Sequence, residues 1–132
     1  MGQPAAKQGD RIVSVDMHLV IVPTPSGPVQ TLLPHPFNGV IDAGLSNDLF
    51  IQGLPAATVG SCASNIPPHF PTPPGTSFAK PPTNRATIVT GSSTVFIDGK
   101  PAARNGDTAT TCNDPADLPT GKVVAAGTVF FG

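Results

Sequence analysis

One short block occurs three times in this chain and constrains every fold the chain can adopt. It reads Pro4-Ala5-Ala6-Lys7, Pro55-Ala56-Ala57-Thr58 and Pro101-Ala102-Ala103-Arg104. Each copy is followed by one variable residue and a turn pair: Gly9-Asp10, Gly60-Ser61 and Gly106-Asp107. Self-similarity of this kind marks a repeat architecture. The similarity also reaches backwards. Phe96-Ile97-Asp98-Gly99-Lys100 precedes the third copy and Phe50-Ile51-Gln52-Gly53-Leu54 the second, whereas only Met1-Gly2-Gln3 precedes the first. The missing piece stands at the other end, in Thr128-Val129-Phe130-Phe131-Gly132. The repeat unit is therefore split across the termini, and the last strand is expected beside the first residues. Three units then close on themselves, where an open solenoid would need capping repeats.

The rest of the composition agrees with an all-β chain with little or no helix. With 17 Pro and 14 Gly in 132 residues, no stretch long enough for a helix keeps a 3.6-residue apolar period without a breaker. Apolar residues fall in short β-branched runs: Ile12 to Val15, Leu19 to Val22, Val40-Ile41, Ile88-Val89, Thr94 to Ile97, Val123-Val124 and Val129 to Phe131. These predict short strands. The runs are expected to pair as tight hairpins, Val123-Val124 with Val129 to Phe131, Ile88-Val89 with Val95 to Ile97, and Val40-Ile41 with Leu49 to Ile51. Each Pro-Ala-Ala block then forms the corner to the next strand. The Pro-rich segments Pro23 to Pro36 and Pro67 to Pro82 read as loops. Residues 1–132 form a single domain in this reading, with no room for an effector extension.

A chain with 7 Phe and neither Trp nor Tyr has little to build a core from, so a staple is expected. Charge excludes one class of partner: the net charge is −1, only 11% of residues are charged, and no basic patch offers itself to nucleic acid. No apolar leader opens the sequence and no run is long enough to span a bilayer, so cytoplasmic synthesis is expected. In that compartment, two cysteines point to metal or thiol chemistry before a disulfide.

Metal-ligand candidates follow from the repeat. His18 and His69 stand at the same distance, fourteen residues, after Pro4 and Pro55, and Cys112 lies in the matching segment after Pro101. Three units about one axis would each send one donor inward. His35, between Pro34 and Pro36, supplies a fourth. Three imidazoles and a thiolate make a closed tetrahedral set of the kind that holds structural zinc. Cys62, close to the Gly60 turn, reads as structural; it is the alternative fourth ligand, and a Cys62–Cys112 disulfide is a further option. No catalytic residues are assigned. Asp10 and Asp107 follow turn glycines and are expected to accept backbone N–H groups, and Arg104 to contact a carboxylate or carbonyl of the same chain.

The third copy, from Gly91 through Asp98-Gly99-Lys100-Pro101-Ala102-Ala103-Arg104 to Asp107, resembles the PAAR-repeat proteins, and the resemblance runs over essentially the whole chain. It departs from the pattern at Thr58 and Ser61. The resemblance implies a small cone with pseudo-threefold symmetry. Such cones cap a trimeric, VgrG-like spike in contractile injection systems, either type VI secretion systems or phage-tail-like particles. It also implies one structural zinc near the vertex, held by histidines and a cysteine. The function expected is mechanical: a non-enzymatic point for membrane puncture, bound as a monomer through the cone base, with effectors as further partners. Assembly would be cytoplasmic, and delivery would be on the spike without a signal peptide. The alternative weighed is a zinc-dependent hydrolase or stand-alone effector using the same histidines.

Overall fold

A computed structural model describes residues 2–132 and contains only β structure among them. Six strands close into an antiparallel barrel: β2 (Arg11–Val22), β3 (Val29–Ala43), β6 (Cys62–Asn65), β8 (Arg85–Ile88), β11 (Thr108–Thr111) and β12 (Leu118–Val124). Closure comes from β12 pairing with β2, Val123 opposite Ile12. A seventh strand, β7 (Ser77–Phe78), lies on the far half of β2. Inward positions alternate along each strand, and they are small: Ala63 faces Ala86, and Ala109 faces Gly121. A six-stranded barrel leaves room for little more. Ile12, Phe37, Ile41, Ile88 and Val123 fill what remains. Gly121 shows how tight the fit is, since a Cβ there would sit 2.8 Å from Thr111 Cγ2 and 3.0 Å from Ile12 Cγ2.

The three Pro-Ala-Ala blocks meet at one end of the barrel and bond to each other in a ring. The Ala6 amide donates to the Ala103 carbonyl, Ala103 to Ala57 and Ala57 to Ala6, each at 3.0 Å. A second ring repeats the pattern: Gln8 N–H to Pro55, Val59 N–H to Pro101 and Asn105 N–H to Pro4, at 2.8–2.9 Å. This is pseudo-threefold closure written in backbone hydrogen bonds. Alanine suits it because consecutive extended residues point to opposite faces. Ala6, Ala57 and Ala103 enter the barrel core. Ala5, Ala56 and Ala102 face the other way into a second cluster with Ile51 and Ile97, on which Phe131 packs.

That second cluster belongs to three two-stranded ribbons: β4 (Phe50–Ile51) with β5 (Leu54–Pro55), β9 (Phe96–Ile97) with β10 (Lys100–Pro101), and β13 (Phe130–Phe131) with β1 (Gln3–Pro4). The last spans the termini, as the split repeat predicts. The expected hairpins within the repeat are corrected here. Phe50-Ile51 and Phe96-Ile97 turn back onto their own Pro-Ala-Ala blocks through Gln52-Gly53 and Asp98-Gly99. All four turn residues have φ between 52° and 83°, the mark of a type I′ turn. Val40-Ile41, Ile88-Val89 and Val123-Val124 lie at the ends of barrel strands instead.

The loop expected over Pro23 to Pro36 is also corrected. The hairpin β2–β3 stays in register from Arg11↔Val40 to Val22↔Val29, through Pro34 and Pro36. Prolines are tolerated there because this half of β3 borders only β2, and an edge does not need every donor. Its neighbour β6 has ended at Asn65, opposite Gly39. The cross-section thus falls from six strands at the alanine ring to three beyond His18, which gives the molecule its taper.

Candidate metal centre

The barrel changes character where it narrows. On β2, Asp16 and His18 are two residues apart and so share the inward face; both are buried. On β3, His35 stands opposite Asp16. His69 enters from the loop after β6, and Cys112 from the first residue after β11. One donor atom from each of Asp16, His18, His69 and Cys112 lies within 4.8 Å of the other three. Phe78 closes over the histidines, its ring 5.8 Å from His18 and 5.4 Å from His35.

Hydrogen bonds fix most of these side chains. Asp16 Oδ2 accepts from His69 Nε2 at 2.9 Å and from Cys112 Sγ at 3.4 Å, and Asp16 Oδ1 accepts from the Thr111 hydroxyl. Asn65 Nδ2 donates to His69 Nδ1 at 3.2 Å, and the His69 amide donates to Asn84 Oδ1 at 2.7 Å. His35 Nδ1 donates to the Leu33 carbonyl at 2.9 Å, while its Nε2 accepts the Thr72 amide at 3.1 Å. His18 is the exception. Among the described residues neither of its ring nitrogens has a hydrogen-bond partner, although Asp114 Oδ2 lies 3.4 Å from Nδ1. A buried imidazole left this way is costly unless something else binds it.

Electrostatics follow from burial. Desolvation, assisted by His69 and opposed by Asp114, pushes the His18 imidazole below its usual 6.5. Desolvation also lowers His35, against the Leu33 carbonyl. Burial and then Asp16 raise the Cys112 thiol to about 11. A divalent cation would reverse that last preference, because thiolate coordination follows the ion's own charge. Two imidazoles, a thiol and a carboxylate around an unsatisfied nitrogen fit such an ion.

The structure therefore gathers His18, His69 and Cys112 and sets His35 beside them, its ring 5.4 Å from His18 and 5.6 Å from His69. Cys62 is elsewhere, at the start of β6, with Sγ 3.6 Å from the Gly60 carbonyl and from Thr87 Oγ1. Both cysteines are free, which corrects the disulfide option.

Sequence reasoning passed over four residues. Asp16 was readable as an i, i+2 partner of His18 on a strand. Asn65, Asn113 and Asp114 belong to a pattern that occurs twice, Asn65-Ile66-Pro67 and Asn113-Asp114-Pro115. In each, the Asn side chain accepts a strand amide, from Asn38 at 2.9 Å or Met17 at 2.7 Å. The next residue's amide returns a bond to the same strand residue's carbonyl. The second copy, with Asp114 Oδ2 accepting from Leu19 N–H, clamps β2 on both sides of His18.

Among known proteins, the family model described as PAAR motif matches residues 22–115 and again residues 78–132. No curated protein matches the chain.

Proposed function

The chain belongs to the PAAR-motif family, and on that premise we propose that it caps the trimeric spike of a contractile injection system. The observation that carries this reading is a threefold set of exposed phenylalanines. Phe50, Phe96 and Phe130 each occupy the same place in the three ribbons and are 56%, 59% and 56% exposed. Large apolar groups repeated about an axis on one face suit a partner with the same symmetry. Leu49 and Val129 widen that face. Their burial against a spike would also cover the ribbon edges.

The narrow end supports the second half of the proposal. The main apolar core cluster of the barrel does not extend to where only three strands remain. A zinc ion bound by His18, His69 and Cys112 would cross-link β2, the loop after β6 and the segment after β11. Nitrogen and sulfur donors favour zinc over magnesium or calcium, and the ion would supply cross-linking rather than chemistry on a substrate. The proposed role is mechanical, a non-catalytic point for puncturing a membrane, with effectors as further cargo. The protein would assemble in the cytoplasm and leave the cell on the spike. The alternative of a zinc hydrolase or stand-alone effector is not the reading these features favour.

The test is binding of the purified protein to a trimeric spike by light scattering and calorimetry. One monomer per trimer is expected. Phe96→Ser should weaken binding at least tenfold, since a buried Phe contributes about 1.5–3 kcal/mol, and the triple Phe→Ser variant should not bind, with its circular dichroism unchanged. Undiminished binding by the folded triple variant would remove the base from this role.

A further inference from the structure

We propose that the narrow end of the molecule binds an uncharged lipid surface without any driving force from a spike. The contact is made by the outer face of the β2–β3 hairpin and by the loop from Ile66 to Phe70; this deepens the puncturing role proposed above by naming the surface that the point meets. Strand β2 is patterned inside out. Ser14, Asp16 and His18 face inward, while Val15, Met17, Leu19 and Ile21 alternate with them on the outside. Opposite these on β3 stand Pro36, Pro34, Leu32 and Gln30, all exposed. Antiparallel sheets with one face in water put polar residues on that face. Apolar-out and polar-in is the alternation of strands that face lipid. The loop after β6 lies on the inner side of the same hairpin, held there by His69 to Asp16 and by Thr72 to His35. It leaves Ile66 and Phe70 exposed, Phe70 by 69%.

Charge and placement favour lipid over a protein partner. No Asp, Glu, Lys or Arg occurs from Met17 to Ile41 or from Leu49 to Ala79. Asp16 and Asp114 are buried. The next exposed charges along the chain are Lys80 and Arg85 after the loop, and Asp117 before β12. Lys80 follows Ala79, whose amide bonds the Leu19 carbonyl at the edge of β2, and a long side chain there can keep its ammonium in water. A surface without ions loses no ionic hydration on entering lipid and needs no anionic headgroup. Apolar groups on both sides of a narrowing end suit a bilayer, which contacts all sides at once, whereas a protein partner engages one patch. The backbone limits the depth. From Val29 to Phe37, β3 pairs only with β2, and its outer amides and carbonyls cannot be left bare in hydrocarbon. The contact is therefore interfacial, with Ile66 and Phe70 just beneath the headgroups.

Phosphatidylcholine vesicles test this by co-sedimentation with the intact protein. Wild type should bind, with a partition coefficient that changes less than about twofold between about 0.1 M and about 1 M salt, since no ion pair is there to screen. Ile66→Ser with Phe70→Ser should lower that coefficient at least about thirtyfold, and Val15→Thr with Leu32→Thr at least about fivefold. Val124→Thr, at a valine as exposed as Leu32 but on the barrel half, should change it less than about twofold. The chain has no Trp, so Phe70→Trp adds a single fluorophore. Its emission should shift to the blue on vesicles, and lipid brominated near the headgroup should quench it more than lipid brominated at the chain end. Neutral vesicles left unbound by wild type would overturn the proposal. So would binding that needs added phosphatidylglycerol and low salt, or a loss in Val124→Thr equal to that in the loop variant. A wild-type dimer that the same variants abolish, without vesicle binding, would assign the surface to a second copy instead. If circular dichroism shows the loop variant unfolded, the sheet variant and the tryptophan spectrum decide. Spike binding is read on the same samples. Protein that caps a spike but ignores vesicles refutes the lipid assignment alone, while protein that binds vesicles but no spike removes the capping reading and leaves the lipid surface standing.

Discussion

Ser61 shows how a single residue can replace a pair. In the first and third repeats an aspartate accepts the amide at the end of the Pro-Ala-Ala block, Asp10 from Lys7 at 3.0 Å and Asp107 from Arg104 at 2.7 Å. The cation beside it then reaches a loop carbonyl, Lys7 to Ala126 and Arg104 to Gly91. Thr58 has no cation to offer. Ser61 Oγ accepts the Thr58 amide at 2.9 Å and itself donates to the Gly44 carbonyl at 2.7 Å. Ser61→Ala should therefore leave two buried groups unpaired and cost about 1–3 kcal/mol, read as a lower urea midpoint at unchanged slope. Ser61→Asp alone should also destabilise, because a carboxylate cannot donate to Gly44. Thr58→Arg with Ser61→Asp should recover most of the loss. A double variant no better than Ser61→Asp would show that the two solutions are not interchangeable. The histidines give a second prediction at this scale. His18 and His35 are held below 6.5 by burial, so the unfolded chain takes up protons first as pH falls. Stability of the metal-free protein should then decline as pH drops through 6.5 towards the depressed folded values, and level off below them. Urea midpoints between pH 8 and pH 5 measure this; a flat profile would contradict it.

Elements explain why the repeat was readable and its pairing was not. The Pro-Ala-Ala blocks declared the threefold plan and the split unit, because each residue in them meets a constraint that recurs at the axis. Asp10 and Asp107 were equally legible as acceptors for turn amides, since that bond is local. Strand partners were not. Val40-Ile41 and Leu49 to Ile51 are neighbours in sequence, but one pair lies in the barrel and the other in a ribbon, and only the positive φ of Gln52 and Gly53 fixes which way the chain folds back. Pro34 and Pro36 read as loop residues because β3 outlasts its neighbour β6, a fact of sheet edges rather than of local preference. Asp16 went unnoticed for a related reason: its importance comes from what β11 and the loop after β6 bring to it. The alanine ring yields the prediction at this scale. Ala103→Leu would force a larger side chain into the barrel core where three backbones already touch, and overpacking should cost about 1–3 kcal/mol. Lys100→Leu, on the exposed side of the adjacent ribbon, should change stability little. Equal thermal shifts for the two would mean that the ring tolerates side chains its geometry excludes.

For the whole molecule, the termini are one more seam between equivalent units. Gly2 lies against the Phe131 backbone, where a Cβ would come within 2.7 Å of the Phe131 carbonyl oxygen. Gln3 and Pro4 pair with Phe131 and Phe130 as Leu54 and Pro55 pair with Ile51 and Phe50. In the second and third repeats a two-residue turn makes that join, whereas in the first the pairing holds without a covalent link. A fold closed in this way is expected to tolerate a cut elsewhere, provided the cut leaves the ring and the candidate metal-ligand cluster intact. A circular permutant joining Gly132 to Gly2 through about three glycines, with new ends in the exposed turn between Pro25 and Gly27, tests this. It should fold to the same β spectrum, unfold within a few degrees of the parent and bind spike and metal alike. Closing the seam covalently restricts the unfolded chain, while opening the β2–β3 turn removes one short link, so the two entropic effects oppose each other. Moving the cut to Gly53 should be worse. That turn joins Ile51 to Leu54 beside the exposed Phe50, so spike binding should weaken even where the barrel still forms. Equal spike affinity for both permutants would show that the second ribbon contributes nothing to docking, and would break the threefold argument for the base.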